Sequence, residues 1–355
     1  MSLVALATAY GGPEVLTVTD ETVGEPGPGE ARIAVRASGV NPIDYKSYSG
    51  AFGRDPSRLP LRLGSEAAGV VTAIGPDAAG PAGPLAVGDE VIAYRAPGAY
   101  AAELLVPAQA LVPRPAELDW PEAAGLMLTG ATAWHALAVT GVREGDTVLV
   151  HGGAGGAGVM AIQLAADRGA RVVATASPAN HDLLRELGAV PVSYGNGLAE
   201  RVRAAAPQGV NAAVDTVGTD EAIDVSLALV ANRSRIVTIA AFARGLELGI
   251  KVIGGAPGAD PGTEIRQAAR LELVRLARAE QLRVIVSQTF PLTEVAAAHR
   301  AAMTGHTQGK IALTMLAPGA ALEHQPLTGP KAQFAGLVAN ASTQAAHAGA
   351  EAVFH

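Results

Sequence analysis

Gly153, Gly155 and Gly158 stand at G-x-G-x-x-G spacing directly after the β-branched run Thr147 to Val150. Between a strand and a helix, such spacing suits a pyrophosphate. The first glycine permits a tight turn, the second lets phosphates approach the backbone, and the third lets the helix pack closely on its strand. The helix that follows, with Gly156 and Ala157 in its opening turn, would offer unpaired N–H groups and a favourable dipole to the anion. A second stretch, "VNPIDYKSYSG", gathers the Asn41 amide, the Asp44 carboxyl, the Tyr45 and Tyr48 phenols and the Lys46 ammonium within one turn or two. The same residues also make a sound helix start, with Asn41 as N-cap, Pro42 in the first position and Asp44 three residues after the cap. Capping and chemistry both stand as readings of this stretch.

The elements that must position these groups follow from patterning. Residues 1–122 read as β-rich, with "ALATAY", "ARIAVRASGV" and "AAGVVTAIG" as short strands between the turn-rich "GEPGPGE" and "GPDAAGPAGPLAVGDE". Over residues 123–281 helices alternate with strands expected at 147–151, 171–176, 190–193, 211–215 and 235–240, the rhythm of a doubly wound parallel sheet. "LELGIKVIG" is expected as a sixth strand and "GTEIRQAARLELVRLARAEQ" as a helix. Residues 282–316, with the strand "LRVIVSQTFPL", are expected to complete the first domain. Residues 317–355 read as an Ala-rich tail with a helix-like stretch after Pro330.

Composition narrows the function. A length of 355 residues supports about two domains, and with 4% aromatic residues the core must be built from Ala, Val, Leu and Ile. The first basic residue is Arg32, so the N-terminus lacks the charged start of a signal peptide, and no apolar run is long enough to span a bilayer. A cytoplasmic, soluble protein is expected, with no membrane partner. There is no cysteine, which removes disulfides and thiolate-bound metals. A net charge of −7 without basic runs leaves no nucleic-acid surface. The expected partner is a small molecule.

The choice of dinucleotide is written at the end of the second parallel strand. An NAD site ends that strand with Asp or Glu, whose carboxylate binds the ribose hydroxyls and repels a 2′-phosphate. Here "ATASPANHD" has no acid before Asp182, so NADPH is expected. Ser177, with Pro178 after it, reads as an N-cap. A 2′-phosphate there would meet its hydroxyl, free N–H groups, and Asn180 or His181.

In order along residues 3–315, "GVNPIDYKSYSG", "LGSEAAGVVTAIG", "VGDEVIAY", "GAYAAELLVPA", "LTGATAWHAL", "VLVHGGAGGAGVMAIQLA" and "HTQGKIAL" resemble the zinc-free quinone oxidoreductase branch of the medium-chain dehydrogenase/reductase superfamily. The resemblance implies a GroES-like β-rich catalytic domain plus a Rossmann domain, and a homodimer. It implies an NADPH-dependent, metal-independent reductase that passes hydride to an electrophilic acceptor, a quinone or an α,β-unsaturated carbonyl. An enoyl-thioester reductase and a non-catalytic NADPH-binding protein remain alternatives. Zinc-dependent relatives carry a cysteine and a histidine where this chain has Asn41 and Ser65, so no metal is expected. The resemblance places Thr132 against the nicotinamide carboxamide, Val217, Ala240 and Ala241 along the nicotinamide edge, Tyr194 at the phosphate or ribose, and Asn41 near the nicotinamide. Its neighbours Asp44, Tyr45, Lys46 and Tyr48 would serve the substrate oxygen, which needs a donor as negative charge develops and a proton afterwards. Thr132 can equally bond to its own helix. The branch commonly has a lysine near Asn180 and an arginine near Gly305, and this chain has neither.

Overall fold

The apolar alternation of the first hundred residues folds, in the computed structural model, into a sheet that is antiparallel except for its last pair. The structure describes residues 2–315. The sheet runs in the order Leu111–Pro113, Glu90–Tyr94, Glu66–Ile74, Glu30–Val40, Lys310–Thr314, Val286–Pro291, and Glu103–Pro107 also pairs with Glu30–Val40. Lys310–Thr314 pairs antiparallel with the C-terminal half of Glu30–Val40, placing Ile311 opposite Val40. That register brings Lys310, at the head of the returning strand, beside Asn41, next in sequence after Glu30–Val40.

The β-branched strands of the middle third are buried on both faces, as a parallel sheet requires. Its six strands lie in the order Ala189–Val192, Arg171–Thr175, Thr147–His151, Ala212–Asp215, Ile236–Thr238, Lys251–Val252, and all neighbours are parallel. The chain order reverses on either side of Thr147–His151, the switch point where doubly wound sheets bind ligands at their carboxyl ends. Helix Trp120–Val139, with Asp119 and Glu122 forming a capping box, packs on helices Gly156–Asp167 and Thr263–Arg278 and also touches strands of the antiparallel sheet. It is the beam shared by the two sheets.

All five expected parallel strands appear, Thr147–His151 at its expected bounds and Arg171–Thr175, Ala189–Val192, Ala212–Asp215 and Ile236–Thr238 within two residues of theirs. "LELGIKVIG" does not form one strand. Leu246 to Leu248 end the helix Phe242–Leu248, Gly249 caps it at φ 68°, and Lys251–Val252 is the strand that remains. The L-E-L alternation imitates a strand, but the left-handed glycine after it is a helix stop. The tail at 317–355 and the helix expected after Pro330 lie outside the described residues. Among the described residues no helix is long and apolar enough to cross a membrane.

Candidate active site

Gly152, rather than Gly153, turns the chain out of strand Thr147–His151, at φ 74°. A Cβ on Gly153 would lie 2.9 Å from Ala174 Cβ and 3.1 Å from Leu184 Cδ2, so Gly153 is a packing position and the turn role expected of it belongs to its neighbour. A Cβ on Gly158 would lie 2.1 Å from the Gly152 carbonyl oxygen, which lets helix Gly156–Asp167 sit directly on the loop. At Gly155 the nearest such atom is 3.5 Å away. The first intrahelical bond runs from Val159 N–H to Gly155 O at 2.8 Å, so the N–H groups of Gly156, Ala157 and Gly158 precede it. These donors and the bare backbone fit a pyrophosphate.

At the end of Arg171–Thr175, Ser177 occupies the N-cap of the short turn Pro178–Asn180 but its hydroxyl caps nothing; it accepts from Asn180 Nδ2 at 3.2 Å. Asn180 Oδ1 in turn accepts from Gln308 Nε2 at 3.1 Å. His181 is half-buried, with Nε2 3.3 Å from Ala176 O, and Tyr194 is exposed. The nearest acid in sequence, Asp182, is exposed and pairs with Arg185 at 2.6 Å. Ser177 therefore has a hydroxyl proton to donate.

Buried Asp215, at the end of Ala212–Asp215, was not marked by any motif, yet it builds the next wall. Its Oδ1 accepts from Val217 N–H at 3.0 Å and Gly218 N–H at 2.9 Å, and its Oδ2 accepts from Thr238 Oγ1 at 2.6 Å. Thr238 Oγ1 accepts from the N–H groups of Ala240 and Ala241 at 3.2 and 3.0 Å. One carboxylate thus ties together the loops that carry Val217, Ala240 and Ala241. Across from them, the Thr132 hydroxyl makes no hydrogen bond among the described residues, whereas those of Thr129 and Thr140 bond to the carbonyls four residues back. The Thr132 hydroxyl is not bonded to its own helix, and Thr132 lines the cleft.

Beneath the cleft lies a buried polar knot. Glu66 Oε1 is 3.0 Å from Lys310 Nζ and 3.0 Å from Asn41 Nδ2, and Glu66 Oε2 accepts from Leu128 N–H at 2.7 Å. Lys310 Nζ also donates to Val40 O at 3.2 Å and to Asn41 Oδ1. Asn41 Nδ2 reaches Gly39 O at 3.2 Å as well. Asn41 is the N-cap of helix Pro42–Ser49, and its side chain is held by the ion pair.

Asp44 is the polar centre of the same helix. Its Oδ2 accepts from Asn41 N–H at 2.8 Å and from Tyr100 O–H at 2.9 Å, and its Oδ1 accepts from Ser65 Oγ at 3.2 Å. Behind it His299 Nε2 lies 3.1 Å from the Tyr100 oxygen and His299 Nδ1 lies 2.8 Å from the Tyr48 oxygen. Because Tyr100 donates to Asp44, it must accept from His299 Nε2–H, which leaves Nδ1 to accept from Tyr48. A single directed chain of hydrogen bonds therefore ends on Asp44.

The cleft encloses about 500 Å³, and Asn41, Asp44, Lys46, Ser65, Thr132 and Phe242 are among its walls. Tyr45 and Tyr48, expected at the substrate, do not line it. Pro42, Ile43, Lys46 and Ser47 form the cleft face of their helix. Tyr45 and Tyr48 fall on the other face, where their rings pack on His299 at centroid distances of 6.3 and 5.6 Å. Among the described residues no group of three or more His, Asp and Glu side chains is placed to hold a metal.

Residues 27–116 match the alcohol dehydrogenase GroES-like domain family, and residues 187–313 match the zinc-binding dehydrogenase family. A quinone oxidoreductase of Pseudomonas aeruginosa is 34% identical over 322 residues, covering 86% of this chain and 97% of that protein. The chain belongs to the quinone oxidoreductase branch of the medium-chain dehydrogenase/reductase superfamily. A 2-haloacrylate reductase of Burkholderia is 33% identical over 340 residues, covering 88% of this chain and 99% of that protein. The Escherichia coli quinone oxidoreductase solved with NADPH is 27% identical, with a TM-score of 0.75 over 88% of this chain and 99% of that one. A Streptomyces orinoci spectinabilin polyketide synthase protein is 34% identical over 315 residues, which is 85% of this chain and 14% of that protein's length. As a member of this branch the chain combines a GroES-like domain with a Rossmann-type sheet.

The buried titratable groups give the branch's fold, in this chain, a defined pH response. Burial pushes the Asp44 carboxyl up to about 6, against the pull of the Asn41 N–H, Tyr100 and Lys310. Burial lowers His299 to about 4 and His151 to about 4. Asp44 binds its proton more tightly folded than unfolded, so its contribution is present below about pH 4 and is lost as pH rises through about 6. The two histidines act oppositely: their contribution is present above about pH 6.5 and is lost as pH falls toward about 4. Two groups outweigh one, so stability should rise with pH over this window. Asp44→Asn should steepen the rise, as read by urea unfolding at several pH values; a flatter slope in the variant would refute the assignment.

Proposed function

We propose that this chain is a metal-independent reductase that delivers hydride from NADPH to a quinone or to the β-carbon of an α,β-unsaturated carbonyl. The observation that carries the reading is the meeting, in one cleft, of the unbonded Thr132 hydroxyl with the Ser65–Asp44 pair. Gly155, Gly156 and Ala157 would hold the pyrophosphate; Ser177, Asn180, His181 and Tyr194 would hold the 2′-phosphate end; Thr132, Val217, Ala240 and Ala241 would hold the nicotinamide end. Bound NADPH supplies the hydride, and the protein orients it.

The chain's own residues manage charge and protons. The Ser65 hydroxyl lines the cleft as a donor to an acceptor oxygen that gains negative charge. The proton that completes reduction leaves Asp44 Oδ1 through Ser65 Oγ and is returned from solvent in the cleft by the same route, while Tyr100, His299 and Tyr48 hold the Asp44 carboxyl in place along their directed chain. A carboxyl poised near 6 suits proton transfer close to neutral pH. Metal independence is supported by the Asn41 amide, which is already committed to Glu66 and Lys310, and by the Lys310 ammonium, whose charge would repel a cation there.

The names of the relatives support both acceptor classes, so the test uses both. Purified protein treated with a chelator should oxidise NADPH in stoichiometric proportion to 1,4-benzoquinone or to methyl vinyl ketone. Turnover that a chelator abolishes and zinc restores would overturn metal independence. NADPH left intact with every acceptor would overturn the reductase reading.

A further inference from the structure

The cleft holds more positive charge than hydride transfer to a neutral quinone can use. Lys46, Arg62, Arg95 and Arg266 line it, and Asp44 is the one carboxyl among its lining residues. Arg62 is paired with Glu21 at 2.8 Å. Arg266 Nε–H donates to His135 Nδ1 at 3.2 Å, and His135 Nε2 lies 3.1 Å from Asp260 Oδ2, so a neutral imidazole links that guanidinium to a carboxylate. Lys46 and Arg95 have no carboxylate partner among the described residues. Lys46 Nζ lies 6.0 Å over the Phe242 ring, and Arg95 Nη1 makes a single 3.4 Å bond to the Thr263 hydroxyl.

The backbone adds a second observation. Arg95 follows strand Glu90–Tyr94 directly and stands at φ 55°, one of three non-glycine residues with positive φ among the described residues. A long side chain is disfavoured in that conformation. Strained positions of this kind gather at ligand sites, where the geometry serves the ligand rather than the fold.

We propose that Lys46 and Arg95 form an anion-recognition site in the cleft, and that the preferred acceptor is an unsaturated carbonyl compound bearing a carboxylate or a phosphate. The proposal deepens the reductase reading and rests on it. Two donors of fixed positive charge match either anion, and the guanidinium can meet it in bidentate fashion. In the reaction, hydride from NADPH forms a C–H bond at the β-carbon. The C=C electron pair shifts toward the carbonyl, and a proton then adds at the α-carbon. NADPH is oxidised, the alkene is reduced, and the anion is unchanged. Lys46 and Arg95 thus act in recognition.

Matched acceptors test this. β-Acetylacrylate and its methyl ester differ in one carboxylate; crotonyl-4′-phosphopantetheine and crotonyl-pantetheine differ in one phosphate. In the parent protein kcat/KM should favour the charged member of at least one pair by about tenfold or more, as a charge-assisted hydrogen bond would give. In Arg95→Gln and Lys46→Gln the ratio within that pair should fall toward one, and added salt should lower it in the parent. Preference within the first pair alone assigns a carboxylate, and within the second alone a phosphate. Equal or better use of the neutral members in both pairs would overturn the proposal. If no acceptor is turned over, the reductase reading fails instead. Calorimetric binding of levulinate, the saturated product of β-acetylacrylate, then decides the site: weaker binding in Arg95→Gln supports a carboxylate site, and equal or absent binding overturns it.

Discussion

Lys310→Met should destabilise the protein by about 3–5 kcal/mol, because it leaves the Glu66 carboxylate buried without its counter-ion. Both side chains are almost wholly enclosed, at 4% and 0% exposure. Removing the ammonium also frees Asn41 Oδ1, so the loss extends to the residue at the head of the substrate helix. The partner change separates charge from packing. When Glu66→Gln is combined with Lys310→Met, the amide oxygen introduced at position 66 can still accept from Leu128 N–H, and once the Asn41 amide turns over, its Oδ1 can accept from the new NH2 group in place of the present Nδ2 contact. No uncompensated charge remains, and most of the lost stability should return. Denaturant midpoints of the parent, the single variant and the double variant provide the measurement. A single variant as stable as the parent, or a double variant worse than the single, would show that the pair does not carry the weight given to it here.

Asp44→Asn should lower kcat for enone reduction by about 10²–10⁴-fold, the range of positioned acid catalysis, with NADPH affinity nearly unaltered. Asp44 is remote in the chain from the glycine loop and has no bond to it, so the two readouts separate chemistry from cofactor binding. The sign of the pH effect follows from the raised carboxyl. The acid form delivers the proton, so kcat in the parent should fall as pH rises through about 6, and the variant should lose that limb. Tyr100→Phe keeps the ring but breaks the bond to Asp44, and it should shift the limb while retaining more activity than Asp44→Asn. A parent profile flat across this range, with full activity in Asp44→Asn, would move the proton source to water.

What could be read along the chain was what is local. The strand, glycine turn and helix at 147–167 are contiguous, so their phosphate-binding character is visible in order, as is the missing acid after Thr175. Long-range pairings were not. Glu66 and Lys310 meet across 244 positions, and a glutamate in "GSEAAG" or a lysine in "QGKIAL" gives no hint of the other. His299 sits in an Ala-rich helix and joins Tyr48 and Tyr100 only because the returning chain packs under the substrate helix. In "PIDYKSYS" polar groups occur on every face, so no apolar stripe reveals which side is buried. Tyr48 serves the hydrogen-bonded chain behind Asp44 and Tyr45 packs on His299, so neither faces the cleft. The glycine assignment erred by one position for a similar reason. Gly152 and Gly153 are indistinguishable as letters, and only the fold decides which one turns and which one is packed upon.

The most direct measurement follows the hydride itself. The protein, incubated with NADPH deuterated at the transferring position of the nicotinamide and with methyl vinyl ketone or β-acetylacrylate, should yield a saturated ketone carrying one deuterium at the former β-carbon, located by NMR and mass spectrometry. The α-hydrogen should come from solvent, so the same reaction in deuterated water with unlabelled NADPH should place the label at the α-carbon. Saturated product with no deuterium at the β-carbon, or NADPH oxidised with no saturated product and no hydroquinone from a quinone, would contradict hydride delivery within this cleft.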